Sequence, residues 1–450
     1  MGVGLIALLV FLSITIVWTA VLKRHIGEAM LISLIATALF GGSNFFVLIY
    51  DGLVYAFTND IIFAAMAFVF VSIVIQKADI TRKLIDILNS MLGRLPGSAG
   101  YIATIAAALF GMVSPSGSAN QAVVGSITIP WMIRTGFKKE TAATISTGNS
   151  GFGFVFPASI GMMILLGFEP IAKAVTQGQF VRAIMVGGLY CLIYRLLLIL
   201  FFVKRENIKA VPESEIRPLK ETFKAGWKSL LIFLGIVIPV LLTLGPIAER
   251  LKSNVLIGDV AIKSISLMVW VPTLILVISL IVGRGKLPKS FKGMYGFARE
   301  TAPMFSELSV VIIFAFAVSD VLGKLGLTED LTAFISQFDL PGWLMVLLIG
   351  LLVSIVAGPL SGSATATMVG LFAFTAFTAV GVTPLAACVA ICMFLSTEGS
   401  SPPSSAQIYV AAGMAGTNPS KSFIPLIIYY VVIPTVIGCL LAMGILPIPY

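Results

Sequence analysis

Between Val3 and Leu22 the chain carries no charged side chain, and apolar runs of comparable length recur to its C-terminus. A helix of about 20 apolar residues spans the hydrocarbon of a bilayer, so this pattern dictates a fold built in lipid. Composition agrees. Of 450 residues 58% are apolar and 11% charged, where a soluble domain carries about 45–50% and about 25%. The surplus has to face lipid, which excludes an ordinary soluble enzyme. The runs are continuous rather than alternating, which excludes a transmembrane β-barrel. The reading is an all-α polytopic membrane protein with crossings at 3–22, 29–50, 61–77, 139–168, 181–203, 227–247, 263–283, 305–322, 384–415 and 422–446. The first run is too long for a signal-peptide core and lacks a basic flank, so it is read as the first span.

Two of these crossings, 139–168 and 384–415, are long and carry Gly, Ser and Pro in their middles. Two further apolar regions, 98–134 and 341–380, each divide into two short runs around a Gly/Ser cluster. Runs that short suggest re-entrant helical hairpins. Ile80–Leu92 and Leu327–Phe338 are amphipathic and fit arms lying along the membrane interface. The longest polar stretch, 204–228, contains Pro212 and Pro218 and is the natural linker between two halves.

The halves are related. Ser116-Gly117-Ser118-Ala119 recurs as Ser361-Gly362-Ser363-Ala364, a shift of 245 positions. The same shift maps Leu95-Pro96-Gly97 onto Leu340-Pro341-Gly342, Gly136 onto Gly381, Pro157 onto Pro402 and Ser159 onto Ser404. Five crossings precede the linker, and an odd number turns the second copy upside-down. Inverted repeats with broken helices near the bilayer midplane are the mark of secondary transporters. Charge gives an independent orientation. The face holding the 23–28 loop receives 22 Lys and Arg, including those of the linker, and the opposite face receives six. By the positive-inside rule the richer face is cytoplasmic, with both termini outside. Arg195 falls inside a span and is read as snorkelling toward the cytoplasmic end.

Backbone that leaves the helix at membrane depth is tolerated only where it lines a polar cavity or is packed in protein. Ser114, Ser116, Gly117, Ser118 and Asn120 form the first hairpin tip; Ser361, Gly362, Ser363 and Thr365 form the second. Gly148, Asn149 and Ser150, followed by Pro157, break the first long span, and Thr397, Glu398, Ser400, Ser401 and Pro402 break its counterpart. Carbonyl and hydroxyl oxygens suit Na+, and helix N-termini suit a carboxylate. These residues are therefore the candidate ion and substrate ligands, with packed turns and plain kinks as the structural alternatives. Glu398 is a mid-span carboxylate with no cation nearby in sequence; it could hold a cation, take a proton or pair with a distant Lys or Arg. Glu307 and Asp320 lie near span ends and are read as interfacial. Cys191, Cys388, Cys392 and Cys439 all fall in apolar runs, without disulfide or zinc spacing. Gly148-Asn149-Ser150-Gly151 fits an intramembrane serine-protease pattern, but that chemistry needs a general base and the sole histidine, His25, sits in a loop. No phosphate-binding loop motif occurs. No catalytic residue and no cofactor is expected beyond a coupling cation.

Ser116-Gly117-Ser118-Ala119, Val124-Gly125-Ser126-Ile127-Thr128-Ile129-Pro130, Gly136-Phe137 and Pro157-Ala158-Ser159-Ile160 resemble the large membrane subunit of tripartite ATP-independent periplasmic (TRAP) transporters. Ser401-Pro402-Pro403-Ser404 and Ala411-Ala412-Gly413-Met414-Ala415-Gly416-Thr417-Asn418-Pro419 are similar to the branch served by TAXI-type binding proteins. The sequence departs from the family at Pro157-Ala158, where two prolines are usual, and at Glu398-Gly399-Ser400. The resemblance implies an importer of small organic acids in the bacterial or archaeal inner membrane. It implies a Na+ gradient, with H+ as the alternative, and an elevator motion. It also implies two partners, a small four-helix membrane subunit and a periplasmic substrate-binding protein. On that plan 1–94, 169–203, 229–340 and 417–450 are scaffold, 204–228 is the cytoplasmic linker, and 95–168 and 341–416 are the transport elements. A stand-alone ion-coupled carboxylate transporter of the wider ion-transporter superfamily is the alternative; a channel, an intramembrane enzyme and an ABC permease fit less well.

Overall fold

The computed structural model describes residues 2–449 apart from 114–116, 158, 255–257, 336, 338–339 and 359–361. Within them regular structure is helical. Helix α1 (Val3–Ile16) is capped from far away in sequence: Asp330 Oδ2 accepts from Gly4 N at 2.8 Å and from Leu5 N at 3.3 Å. Two helices, α2 (Ile26–Ala38) and α3 (Phe45–Phe57), replace the single run expected at 29–50. The 3-10 stretch between them turns at Gly42 (φ 56°), where a side chain would be strained. Next, α4 (Asp60–Lys77) and α5 (Ile80–Leu92) form a pair bent by 64°. The first hairpin is α6 (Ser98–Val113), then α7 (Gly117–Asn120) and α8 (Ser126–Arg134) with a π-helical segment between them. The first broken span is α9 (Lys139–Ser150), a 3-10 turn at Gly151–Phe154, and α10 (Ile160–Leu166), whose N-cap Ser159 accepts from Met162 N. After α11 (Glu169–Ala174), the half closes on α12 (Gln177–Glu206), started by a capping box of Thr176 and Gln179.

The second half opens inside the expected linker. Helix α13 (Leu219–Leu230) buries Thr222, Gly226 and Ser229, one stripe at helical spacing, and packs on α5, where Thr222 Oγ1 and Ser90 Oγ lie 2.7 Å apart. Helices α14 (Leu234–Thr243), α15 (Pro246–Lys252), α16 (Gly258–Lys263) and α17 (Leu267–Gly283) follow. Helix α18 (Phe291–Lys324) begins well before the expected 305, and α19 (Leu327–Ile335) bends from it by 69°. The second hairpin is α20 (Gly342–Ala357) and α21 (Gly362–Ala379). The second broken span is α22 (Pro384–Leu395), a 3-10 turn at Glu398–Ser400, and α23 (Ala406–Ala415). The chain ends on α24 (Phe423–Leu426), a π-helical stretch and α25 (Ile433–Ala442).

The order of bent pair, hairpin, broken span and closing helix thus occurs twice. Gly136 (φ 105°) and Gly381 (φ 87°), paired by the sequence shift, both take left-handed backbone where a hairpin turns into its broken span. Among the described residues five helical segments are long and apolar enough to cross a membrane, or seven if each bent pair counts as one span. The other expected crossings are shorter or interrupted. One of the five is Gly362–Ala379, an arm of the expected re-entrant hairpin, and it is mostly buried in protein; its length alone does not make it a crossing.

Two sets of helices pack together. One brings α18 against α2, α3 and α4, and α17 against α4 and α14. The other brings α22 against α12, α20, α21 and α25, α9 against α6 and α23, and α6 against α12. Helix α12 illustrates the amphipathic logic of the second set. Leu189, Ile193 and Leu197 are exposed on its outer face, whereas Cys191, Arg195 and Ile199 are buried on its inner face. All four cysteines are buried free thiols.

Candidate functional site

The two breaks meet. A Cβ on Gly151 would collide with the carbonyl oxygen of Ser396, and one on Gly399 would collide with Ser150 Oγ. Glycine at 151 and 399 is what allows the two 3-10 turns to touch backbone to backbone. Around this contact Asn149, Ser150, Ser396, Thr397, Glu398 and Ser400 are all buried.

Glu398 ties this centre to both hairpins. Its Oε2 accepts the backbone N–H of Gly362, the first residue of α21. Its Oε1 accepts from Gln407 Nε2 at 3.0 Å, and the same amide donates to Ser118 Oγ in the first hairpin at 3.2 Å. A Cβ on Gly117 would lie 2.8 Å from Oε1 and one on Gly362 2.7 Å from Oε2. One carboxylate therefore touches the start of the returning helix of each hairpin. Of the three roles open to Glu398 in the sequence, pairing with a Lys or Arg is not seen among the described residues, where its partners are a backbone amide and a side-chain amide. Ser405 steadies this arrangement: its single hydroxyl proton lies between two acceptors, Gly399 O at 2.8 Å and Gln407 Oε1 at 2.7 Å from Oγ.

The remaining candidates divide. Ser150 donates to Thr147 O, Thr397 to Phe394 O and Ser401 to Thr397 O, all within their own elements. Asn149 Nδ2 donates to Thr104 Oγ1 at 3.0 Å. Asn149 Oδ1, Thr147 Oγ1 and Ser400 Oγ are buried without a protein hydrogen-bond partner among the described residues. Such orphaned oxygens, on the two segments that meet at the breaks, are of the kind that could hold a hard monovalent cation. Asn120 instead donates to Ala107 O inside its hairpin, and Gly148 lies against the Tyr430 ring. Pro157 sits among Met162, Val181, Ile236 and Val271, an apolar contact of α10 with α14 and α17. Ser363 and Thr365 open α21, and Pro402 is half-buried beside the second break. Ser114, Ser116 and Ser361 lie outside the described residues, as does the side chain of Glu307. Asp320 pairs with Lys324 at 2.9 Å, and Lys324 also reaches Asp51.

Gln407 and Ser405 were not singled out in the sequence. A signal existed: they follow the Ser401–Ser404 break within one helical turn, on the half-helix that packs against α9. Arg195 requires a correction. It does not snorkel but is completely buried, with its guanidinium 4.1 Å over the Phe152 ring and 5.5 Å from the Tyr430 ring. Depth explains this. Arg195 lies 11 residues before the end of α12, about 16 Å along the axis. Glu206 at that end accepts from Lys138 N and Thr141 Oγ1 at the start of α9, so Arg195 reaches the level of the first break.

The family model of the tripartite ATP-independent periplasmic transporter DctM component matches residues 5–447. The C4-dicarboxylate TRAP transporter large permease protein DctM of Pseudomonas aeruginosa is 30% identical over 155 residues, covering 34% of this chain and 35% of that protein. The sialic acid TRAP transporter large permease protein SiaM of Vibrio cholerae is 23% identical over 173 residues, covering 38% and 40%. These alignments span little more than a third of the relatives' length. Two solved transporters share the fold at low identity. The YdaH transporter of Alcanivorax borkumensis matches with TM-score 0.61 and 16% identity, over 88% of this chain and 89% of that one. MtrF of Neisseria gonorrhoeae matches with TM-score 0.62 and 14% identity, over 90% and 85%. With a family model matched over nearly its whole length and a helical architecture shared with solved transporters, this multi-pass membrane chain belongs to the DctM family, the large permease component of TRAP transporters.

Proposed function

We propose that the chain is the large permease of an inner-membrane importer of a small organic anion, coupled to a Na+ gradient. The observation that carries this reading is Glu398, which joins both hairpins at the meeting point of two broken helices. A coupling cation would be held by oxygens of Asn149, Ser150, Thr397, Ser400 and Glu398. The amide ends of α7 and α21 favour an anionic cargo. C4-dicarboxylates and sialic acid, carried by relatives of this chain, define the substrate class to test. The partners are a separate small membrane subunit and a periplasmic binding protein that delivers the cargo. The two halves are inverted repeats, with both termini on the periplasmic side.

The transport elements 95–168 and 341–416 move as one body against the scaffold. The scaffold is 1–94, 169–203, 229–340 and 417–450, with α12 and α25 lining the moving elements through α6, α20 and α22. The deciding experiment is uptake of a labelled organic-acid panel into proteoliposomes, with and without an inward Na+ gradient and the two partner proteins. Na+-driven uptake of at least one anion is expected. Uptake that needs no ion gradient, or currents far above carrier rates, would overturn the reading. Uptake driven by a pH gradient alone would assign H+ as the coupling ion.

A further inference from the structure

Arg195 and Glu398 are the two charged side chains buried almost completely among the described residues, at 0% and 5% exposure. They have opposite signs and form no ion pair with each other or with any other described residue. Glu398 fronts the meeting point of the breaks. Arg195 is held beside the first break by two aromatic faces. Phe152 belongs to the 3-10 turn that follows Ser150, and Tyr430 packs on Gly148. Among the described residues no oxygen accepts from the three guanidinium nitrogens, and the Cys191 thiol one turn earlier on α12 is a weak hydrogen-bonding neighbour. The titratable groups facing it are the Cys191 thiol and the Tyr194 and Tyr430 phenols, with no carboxylate among them.

A buried, unpaired guanidinium is costly, and neither structural rescue is used: it does not reach the interface and it has no carboxylate. Its cation–π contacts fix where the charge sits. Phe152 lies two residues beyond Ser150 and Tyr430 packs on Gly148, so the charge sits near the first break, whose Asn149 and Ser150 the proposed function offers to a cation. We propose that Arg195 sets the cation affinity of the transport site. Its fixed positive charge opposes a cation bound at the first break, while Glu398 attracts one. With the site empty and Glu398 ionised, the two buried charges cancel. A cation alone then leaves one uncompensated positive charge in a low-dielectric core, and an anionic cargo removes it. Arg195 thus disfavours occupancy by the cation alone and keeps the cation releasable. A unit charge about 10 Å away, across a medium of effective dielectric constant about 20, changes a binding constant on the order of tenfold.

The inference rests on the cation-coupled reading, and its test separates the two. Saturable 22Na+ binding to the purified full-length protein is measured without cargo for wild type, Arg195→Met and Arg195→Lys. Methionine spans both rings without charge; lysine keeps the charge and the aromatic contact. The half-saturating Na+ concentration is expected to fall on the order of tenfold in Arg195→Met and to stay near wild type in Arg195→Lys. Arg195→Gln replaces Arg195→Met if the latter is not monodisperse in detergent. Absence of saturable binding in wild type would remove the Na+ site itself. Saturable binding in wild type with unchanged or weaker binding in the uncharged variant, or equal shifts in the lysine and uncharged variants, would overturn the role given to Arg195.

Discussion

Glu398 accepts the backbone N–H of Gly362, so the carboxylate of the second broken helix holds the first residue of the second hairpin's returning helix. Through Gln407 it also reaches Ser118 in the first hairpin, 289 positions from Gln407 in sequence. Four elements from both halves converge on one side chain, which places the charge of Glu398 at the centre of any motion the hairpins make.

Glu398→Gln keeps the shape of that hub and removes its charge. Hydrogen bonds to a charged acceptor contribute about 1.5–3 kcal/mol, against about 1 kcal/mol for neutral ones. Initial uptake rates are expected to fall at least about tenfold, with an altered dependence on Na+ and pH. A wild-type profile in both would make Glu398 a structural residue.

A Cβ on Gly117 or on Gly362 would lie 2.8 or 2.7 Å from the Glu398 carboxylate, and the one on Gly362 would also collide with the Phe154 ring. Gly362→Ala and Gly117→Ala are expected to insert normally and to lose most of their uptake, because the added methyl displaces Glu398 and, at 362, the Phe154 ring as well. Gly413, beside which a Cβ meets nothing, is the control: Gly413→Ala should transport like wild type. Equal uptake by all three variants would count against a closely packed hub.

Gln407→Leu cuts the link between Glu398 and Ser118. If the link operates as a unit, the losses from Gln407→Leu and Ser118→Ala will not add in the double variant. The expected coupling is about 1 kcal/mol, read from the ratio of uptake rates. Strict additivity would mean that the two residues act independently.

Asp330 caps α1 across 326 residues of sequence. Asp330→Ala is expected to lower the thermal stability of the detergent-solubilised protein by about 1 kcal/mol, the usual value of a lost helix cap. Asp330→Asn, which keeps an acceptor, should recover most of it. No difference between the two variants would indicate that the cap contributes nothing.

Much of the architecture was legible because lipid imposes simple local rules. Apolar runs mark the helices, and Gly, Ser and Pro clusters mark the two breaks, after Ser150 and after Leu395. Lengths failed where helices continued into polar sequence: Leu219–Leu230 lies in the expected linker, and α18 starts at Phe291. Both are amphipathic, and a hydropathy-based boundary stops at their first charges. The kink at Gly42 was missed because an uncharged helix and an uncharged kinked pair have the same hydropathy.

The sequence by itself determined that this chain lives in a bilayer, which segments repeat, and where the backbone must leave the helix. The first and last depend on neighbours a few residues apart, and the repeat on matching one local pattern to another 245 positions on. Only the tertiary structure decided that Gln407 serves Glu398, that Gly148 faces the Tyr430 ring, and that Arg195 ends between two aromatic rings. Each of these is set by how helices distant in sequence are rotated and stacked. Rotation of a nearly uniformly apolar helix leaves its hydropathy unchanged, so composition carries no record of which side chain meets which.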